Sequence, residues 1–220
     1  MEAMSFAWNA LSKNFVGVSL PIAVAMVVSL LPGWAIGFTY GLMAALVAEY
    51  VEPSFISVLS YLVQATSSLI GLFVGSYIAG GVVSFGLKVA RGQPVVFGDV
   101  FSGGKYFGKV LVGTIGMYIA AAIGFVLCIV PGYIVMLGLC MFTFLIVDQG
   151  LPGIDALKKS WEMTNGHKVN LFVFGLLGFL VIIAGVLACG VGVLLGSYPM
   201  LIIGGSYIYL KLKGEEPRLA

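Results

Sequence analysis

Few residues in this chain are equipped for chemistry, and their types restrict it sharply. His167 is the single histidine in 220 residues, and it stands beside Lys168 where a charged stretch runs into an apolar one. Imidazole titrates near neutral pH, so His167 reads either as a pH-responsive group or as a polar residue at an interface. No nucleophile and base pair can be assembled around it. Cys128, Cys140 and Cys189 lack metal-ligand spacing, and an odd number argues against a disulfide framework. They read as small apolar residues. Glu49 and Glu52, three apart at a helix end, offer a cation two carboxylates, but further oxygen ligands are missing nearby and a solvated acidic tip is the simpler reading. Asp148 ends an apolar run, where it can pair with a lysine of a neighbouring elbow, a structural role favoured over passing protons. Asp99 and Asp155 stand near helix starts, where the helix dipole favours them. No catalytic cluster, metal site or cofactor is expected, and no enzyme.

One apolar stretch is polar for its length, with Gln64, Thr66, Ser67, Ser68, Ser76 and Ser84. Such hydroxyls join helices by hydrogen bonds. The alternative is a watery path lined by Gln64, Ser68 and Ser76. No Asp, Glu, Lys or Arg lies deep in an apolar run, which argues against coupled secondary transport.

These residues must be positioned by membrane helices. The chain is 60% hydrophobic and 9% charged, outside the range of a soluble globular domain. A net charge of +2 gives no reason to expect nucleic acid. Residues 15 to 31 are long enough to span at ~1.5 Å per residue across ~30 Å. Residues 34 to 48 and 55 to 89 are also apolar, and a separate crossing by 34 to 48 would strand charges on the wrong side. One long hairpin, 15 to 48 and 55 to 88 turning at Pro53, puts every basic residue on one side; a re-entrant or interface-lying 34 to 48 is the alternative. Gly33, Gly37 and Gly41 on one arm, and Gly71 and Gly75 on the other, form small-residue stripes suited to close helix packing or to an oligomer contact. Further spans are expected over 107 to 128, 133 to 147, 169 to 189 and 193 to 210. Lys13 before an apolar run resembles a signal peptide superficially, but no convincing cleavage site follows, and the segment is expected to be part of the mature fold.

Between the spans lie charged islands. In Asp148 to Lys168, the residues Ile154, Leu157 and Trp161 fall at i, i+3 and i+7, with Asp155, Lys158, Lys159 and Glu162 on the other face. This predicts an interfacial helix started at Pro152, laced by Asp155–Lys159 and Lys158–Glu162 pairs, and closed by a left-handed cap at Asn165-Gly166. Met4, Trp8, Leu11 and Phe15 repeat the pattern, and Phe97, Val100 and Phe101 form the apolar side of a third island. The residues expected at lipid headgroups are Trp8, Lys13, Arg91, Lys105, Lys109, Lys158, Lys159, Trp161 and Lys168, whose other reading is plain topology determinants.

In register, the chain reads three times as elbow helix, span, tight turn and span: 1–91 with the long outward hairpin, 92–149, and 150–214. Gly92 to Pro94, Gly150 to Pro152 and Gly214 to Pro217 mark the ends. All eleven basic residues (Lys13, Lys88, Arg91, Lys105, Lys109, Lys158, Lys159, Lys168, Lys211, Lys213 and Arg218) fall at the chain ends or in the two elbow loops. The positive-inside rule then makes both termini cytoplasmic.

The stretch Asp148-Gln149-Gly150, then Ala156-Leu157-Lys158-Lys159-Ser160-Trp161 and Thr164-Asn165-Gly166, resembles the membrane-domain family attached to some glycerophosphoryl diester phosphodiesterases, and related six-span bacterial proteins. The resemblance implies a prokaryotic cytoplasmic-membrane module. The phosphodiesterase catalytic domain is absent, so no activity carries over, and the long first hairpin departs from the pattern. The expectation is an all-α, six-span, non-enzymatic membrane module of one domain. It self-associates and binds or organises lipid or a partner membrane protein, with Glu49 and Glu52 at its outward tip. A pore or translocator is the second expectation.

Overall fold

The computed structural model describes residues 2–48, 50–187 and 190–218. Glu49 of the outward tip and Cys189 lie outside the described residues. The fold is all-α: among the described residues there are no strands, and six helical stretches are long and apolar enough to cross a membrane. In chain order the helices are α1 (Glu2–Lys13), α2 (Phe15–Val47), α3 (Pro53–Ala90), α4 (Phe107–Leu127), α5 (Ile129–Leu139), α6 (Phe142–Gln149), α7 (Gly153–Thr164), α8 (Lys168–Leu187) and α9 (Tyr198–Lys213). A 3-10 segment, Phe97–Lys105, precedes α4, and a π turn, Val193–Ser197, precedes α9. Glycines at 98, 103 and 104 weaken α-helix propensity in the 3-10 segment.

α2 is continuous, so residues 34 to 47 extend the first helix. It runs through Pro21 and Pro32, and Pro53 starts α3 in the first-turn position where the missing N–H costs nothing. The fourth span breaks in two, α5 and α6, at Cys140 and Met141.

The core forms where α3, α6 and α9 meet. Val83, Leu87, Leu145, Ile146, Tyr209 and Leu210 are buried together there, and the rings of Phe144 and Tyr209 stack at 5.5 Å. Each of these helices ends at a glycine in the left-handed region: Gly92 (φ 65°), Gly150 (φ 67°) and Gly214 (φ 85°). These are the three marks of the repeat, and each lies within two residues of the end of its helix.

Each elbow doubles back along one of those helices. The 3-10 segment runs back along α3, with Asp99 against Lys88 and the Phe101 carbonyl accepting from the Tyr77 hydroxyl at 2.8 Å. α7 runs back along α6 to α5, and α1 runs back along α9, from Glu2 at Lys211 to Leu11 near Met200.

Candidate functional site

The charged groups collect where α3, α6 and α9 end. Asp148, in the last turn of α6, has only 7% of its side chain exposed. It accepts from Arg91 Nη2 at 2.6 Å, from Lys213 Nζ at 2.7 Å and from the Tyr209 hydroxyl at 2.8 Å. Glu215 bridges the same cations, at 2.9 Å from Arg91 and 2.5 Å from Lys213. Gln149 donates to Tyr209 at 3.2 Å and accepts from Lys159 Nζ at 2.7 Å. One charge from the end of each core helix is thus locked into one network. Lys213 and Arg91 hold the Glu215 carboxyl below the usual carboxylate range. Both carboxylate oxygens of Asp148 are engaged, by two cations and a phenol, so the cluster ties the ends of α3, α6 and α9 together.

Asp148 was expected to pair with an elbow lysine. Its cations instead come from the ends of α3 and α9, because the elbows turn away along the helices and only helix ends converge. Arg91, expected at lipid headgroups, is therefore turned inward. Lys109 is likewise engaged with protein, donating to the Gly150 carbonyl at 2.6 Å, as is Lys159. Lys13, Lys105 and Lys158 are exposed, and Trp8 is 63% exposed.

The elbow α7 is a helix over the expected residues, begun after Pro152 and followed by Gly166 at φ 83°. Its buried edge differs from the expected stripe. Ala156, Leu157, Ser160 and Thr164 are buried, while Ile154 and Trp161 are partly exposed on the flank. Ser160 Oγ donates to the Gly138 carbonyl at 2.9 Å and accepts from Met141 N at 3.1 Å, and Thr164 donates to the same carbonyl at 3.0 Å. These bonds satisfy the backbone freed at the α5–α6 break. The Trp161 ring lies over Gly138, and Lys168 Nζ stands 3.6 Å from the ring centre. Among the described residues neither the Asp155–Lys159 nor the Lys158–Glu162 pair forms.

Close backbone approach falls at glycines outside the predicted stripes. Gly81 faces the Val100 carbonyl, Gly103 the Tyr77 carbonyl, Gly138 the Trp161 ring and Gly204 the Phe174 ring. At Gly33, Gly37, Gly41, Gly71 and Gly75 an added methyl would meet nothing within 4 Å. The expected role of those five in packing the two arms together is not realised within one chain. Their faces are open.

Around them the outer part of the first hairpin is bare. No described residue from 26 to 75 is buried, and Trp34, Phe38, Met43 and Leu62 are each 60% exposed or more. Tyr40 donates across the hairpin to the Ile56 carbonyl at 2.9 Å. Glu52 is exposed at the cap of α3. Gln64 and Ser68 are exposed, and Ser68 Oγ donates back to the Gln64 carbonyl. Ser76 is buried, and its hydroxyl, like that of Ser19, lacks a partner. Of the three residues considered for a watery path, Gln64 and Ser68 thus lie one turn apart on an exposed part of α3, and Ser76 lies in the buried part.

His167 is exposed and lies beside Asn170 and Lys211, and among the described residues no ion pair joins it to a carboxylate. Among the described residues no group of three His, Cys, Asp or Glu forms a metal site.

The chain is similar to uncharacterised mycobacterial proteins. It is 29% identical to Rv2560 of Mycobacterium tuberculosis and to Mb2590 of Mycobacterium bovis, over 98% of this chain and 69% of each relative. No protein-family model matches, and no solved structure matches. The aligned region takes in nearly the whole of this chain and leaves about a third of each relative outside it.

Proposed function

We propose that this chain is a non-enzymatic membrane module that self-associates through the outer part of its first hairpin. The observation that carries the reading is the length and bareness of α2 and α3. At ~1.5 Å per residue, helices of 33 and 38 residues run about 50 and 57 Å, against about 30 Å for the 20-residue α8. A bilayer core of ~30 Å cannot cover both arms upright, and that extra length is uncharged and mainly apolar, broken by hydroxyls such as Thr39, Ser57 and Ser60 and by Gln64. Tilt covers part of it. A second copy covers the rest, because lipid-facing apolar surface by itself does not drive helices together and small residues do, by letting backbones approach. The open faces at Gly33, Gly37 and Gly41 supply that approach.

The elbow lysines and the chain ends face the cytoplasm in this reading, in accordance with the charge asymmetry of the loops. The membrane is the prokaryotic cytoplasmic membrane, as the resemblance to six-span bacterial membrane domains implies. The ionic junction keeps the inner ends of the core helices fixed while the hairpin engages its partner.

The test is native mass spectrometry of the full chain released from lipid nanodiscs. A defined oligomer is expected, and replacing Gly33 and Gly37 by leucine should convert it to monomer with helix content unchanged. A wild-type monomer at all concentrations would overturn the reading, as would an oligomer indifferent to both substitutions.

A further inference from the structure

We infer that the cleft between α5 and α8 is a binding site for an anionic phospholipid, with the headgroup phosphate at Lys168 and one acyl chain along the cleft. The cleft has a volume of about 540 Å³, within the ~300–1,000 Å³ of small-molecule sites. Tyr133, Ile134, Leu137, Val169 and Phe172 line it, and Tyr133 meets Phe172 edge-on at 6.0 Å. An apolar cleft in a bilayer is not by itself a site, because lipid tails are as apolar as leucine and will fill any groove. What distinguishes this one is the group at its mouth.

Lys168 is the first residue of α8, beside the charged elbow, so the cleft begins at the membrane interface and leads into its apolar region. Its ammonium rests on the Trp161 ring, and no carboxylate lies within ion-pair distance of it among the described residues. Other basic side chains of this face, Arg91, Lys211 and Lys213, are each matched to Asp148, Glu215 or Glu2. Lys168 is positioned by an aromatic face yet left without an anion. A phosphate entering with its acyl chain in the cleft supplies that anion. A single basic residue near an anionic surface contributes on the order of 1 kcal/mol, so the preference over a zwitterionic lipid of the same chains should be about fivefold.

The site is independent of self-association through the hairpin, and Trp161 reports on it locally. In a full chain carrying Trp8→Phe and Trp34→Phe, Trp161 is measured against vesicles containing acyl-brominated phosphatidylglycerol or acyl-brominated phosphatidylcholine. Half-maximal quenching is expected at about fivefold less phosphatidylglycerol. Lys168→Gln should erase that difference and Lys168→Arg should keep it. Ile134→Phe, which shortens the cleft without touching the lysine, should reduce quenching by both lipids. Equal quenching by the two lipids in the parent chain overturns the proposal. So does a preference that survives Lys168→Gln, and so does quenching unchanged by Ile134→Phe.

Discussion

Replacing Asp148 by asparagine keeps the shape of the side chain and removes its charge. The wild-type carboxylate accepts from three donors, Arg91 at 2.6 Å, Lys213 at 2.7 Å and Tyr209 at 2.8 Å. Hydrogen bonds to charged groups contribute roughly 1.5–3 kcal/mol each, and an amide offers one oxygen and turns an N–H2 toward a donor. At least one cation then loses its partner. The loss is tempered because Arg91 and Lys213 keep Glu215 and have 28% and 29% of their side chains exposed, so water can reach them. Breaking a fully buried pair costs ~3–5 kcal/mol; here about 2–4 kcal/mol is expected. The assay is unfolding in mixed micelles as the SDS mole fraction rises, followed by helical circular dichroism. Arg91→Met, alone and combined with Asp148→Asn, completes a double-mutant cycle with an expected coupling of ~1–3 kcal/mol. Stability of Asp148→Asn within ~0.5 kcal/mol of wild type, or strictly additive losses, would refute the view that this junction ties the three core helices.

Other perturbations separate the contacts described above. Gly81→Ala drives a methyl into the Val100 carbonyl and should cost ~1–3 kcal/mol, whereas Gly37→Ala, with nothing within 4 Å, should leave the unfolding midpoint of the isolated chain unchanged in the same micelle titration. Ser160→Ala leaves Met141 N and the Gly138 carbonyl each short of a bond at the α5–α6 break, for an expected loss of ~1–3 kcal/mol, with faster exchange of the Met141 amide as the local readout. The Lys88 ammonium and the Val96 N–H hold the Asp99 carboxyl below its ordinary value of 3.8. A depressed carboxyl stabilises the fold above its unfolded pKa, because the unfolded chain binds the proton more readily, and that contribution is lost as pH falls through the folded value. Stability should therefore decline on acidification below about pH 4, and Asp99→Asn should flatten the decline in a pH series of SDS titrations.

Hydropathy made the six spans legible, because runs of about 20 apolar residues have few alternatives in a chain of this composition. The elbow α7 was legible too, through its Pro start and Gly end, but not its buried edge. Of the hydrophobic stripe Ile154, Leu157 and Trp161 only Leu157 is buried, and the rest of the buried edge is small, Ala156, Ser160 and Thr164, as suits close contact between helices in lipid. Glycine spacing did not locate the close approaches made within one chain, for a related reason. A four-residue repeat such as Gly33, Gly37, Gly41 identifies a smooth face without saying what lies on it. The crossings actually made use single glycines such as Gly81 against Gly103, where an irregular 3-10 segment approaches. The pairing of Asp148 was out of reach because Arg91 and Lys213 lie 57 and 65 residues away in sequence. Their meeting depends on three helix ends converging, which no local pattern encodes.

The docking of α1 onto α9 has a consequence for how the chain is made. The Ala3, Ala7 and Ala10 face of α1 is covered by a helix whose Lys211 is 209 positions later than Glu2. During synthesis α1 must wait at the membrane, bare on one side, until α9 has been inserted. The other two elbows follow directly on the helices they cover and can settle at once. Assembly therefore closes like a clasp, in a single late step that brings α9 onto the waiting α1.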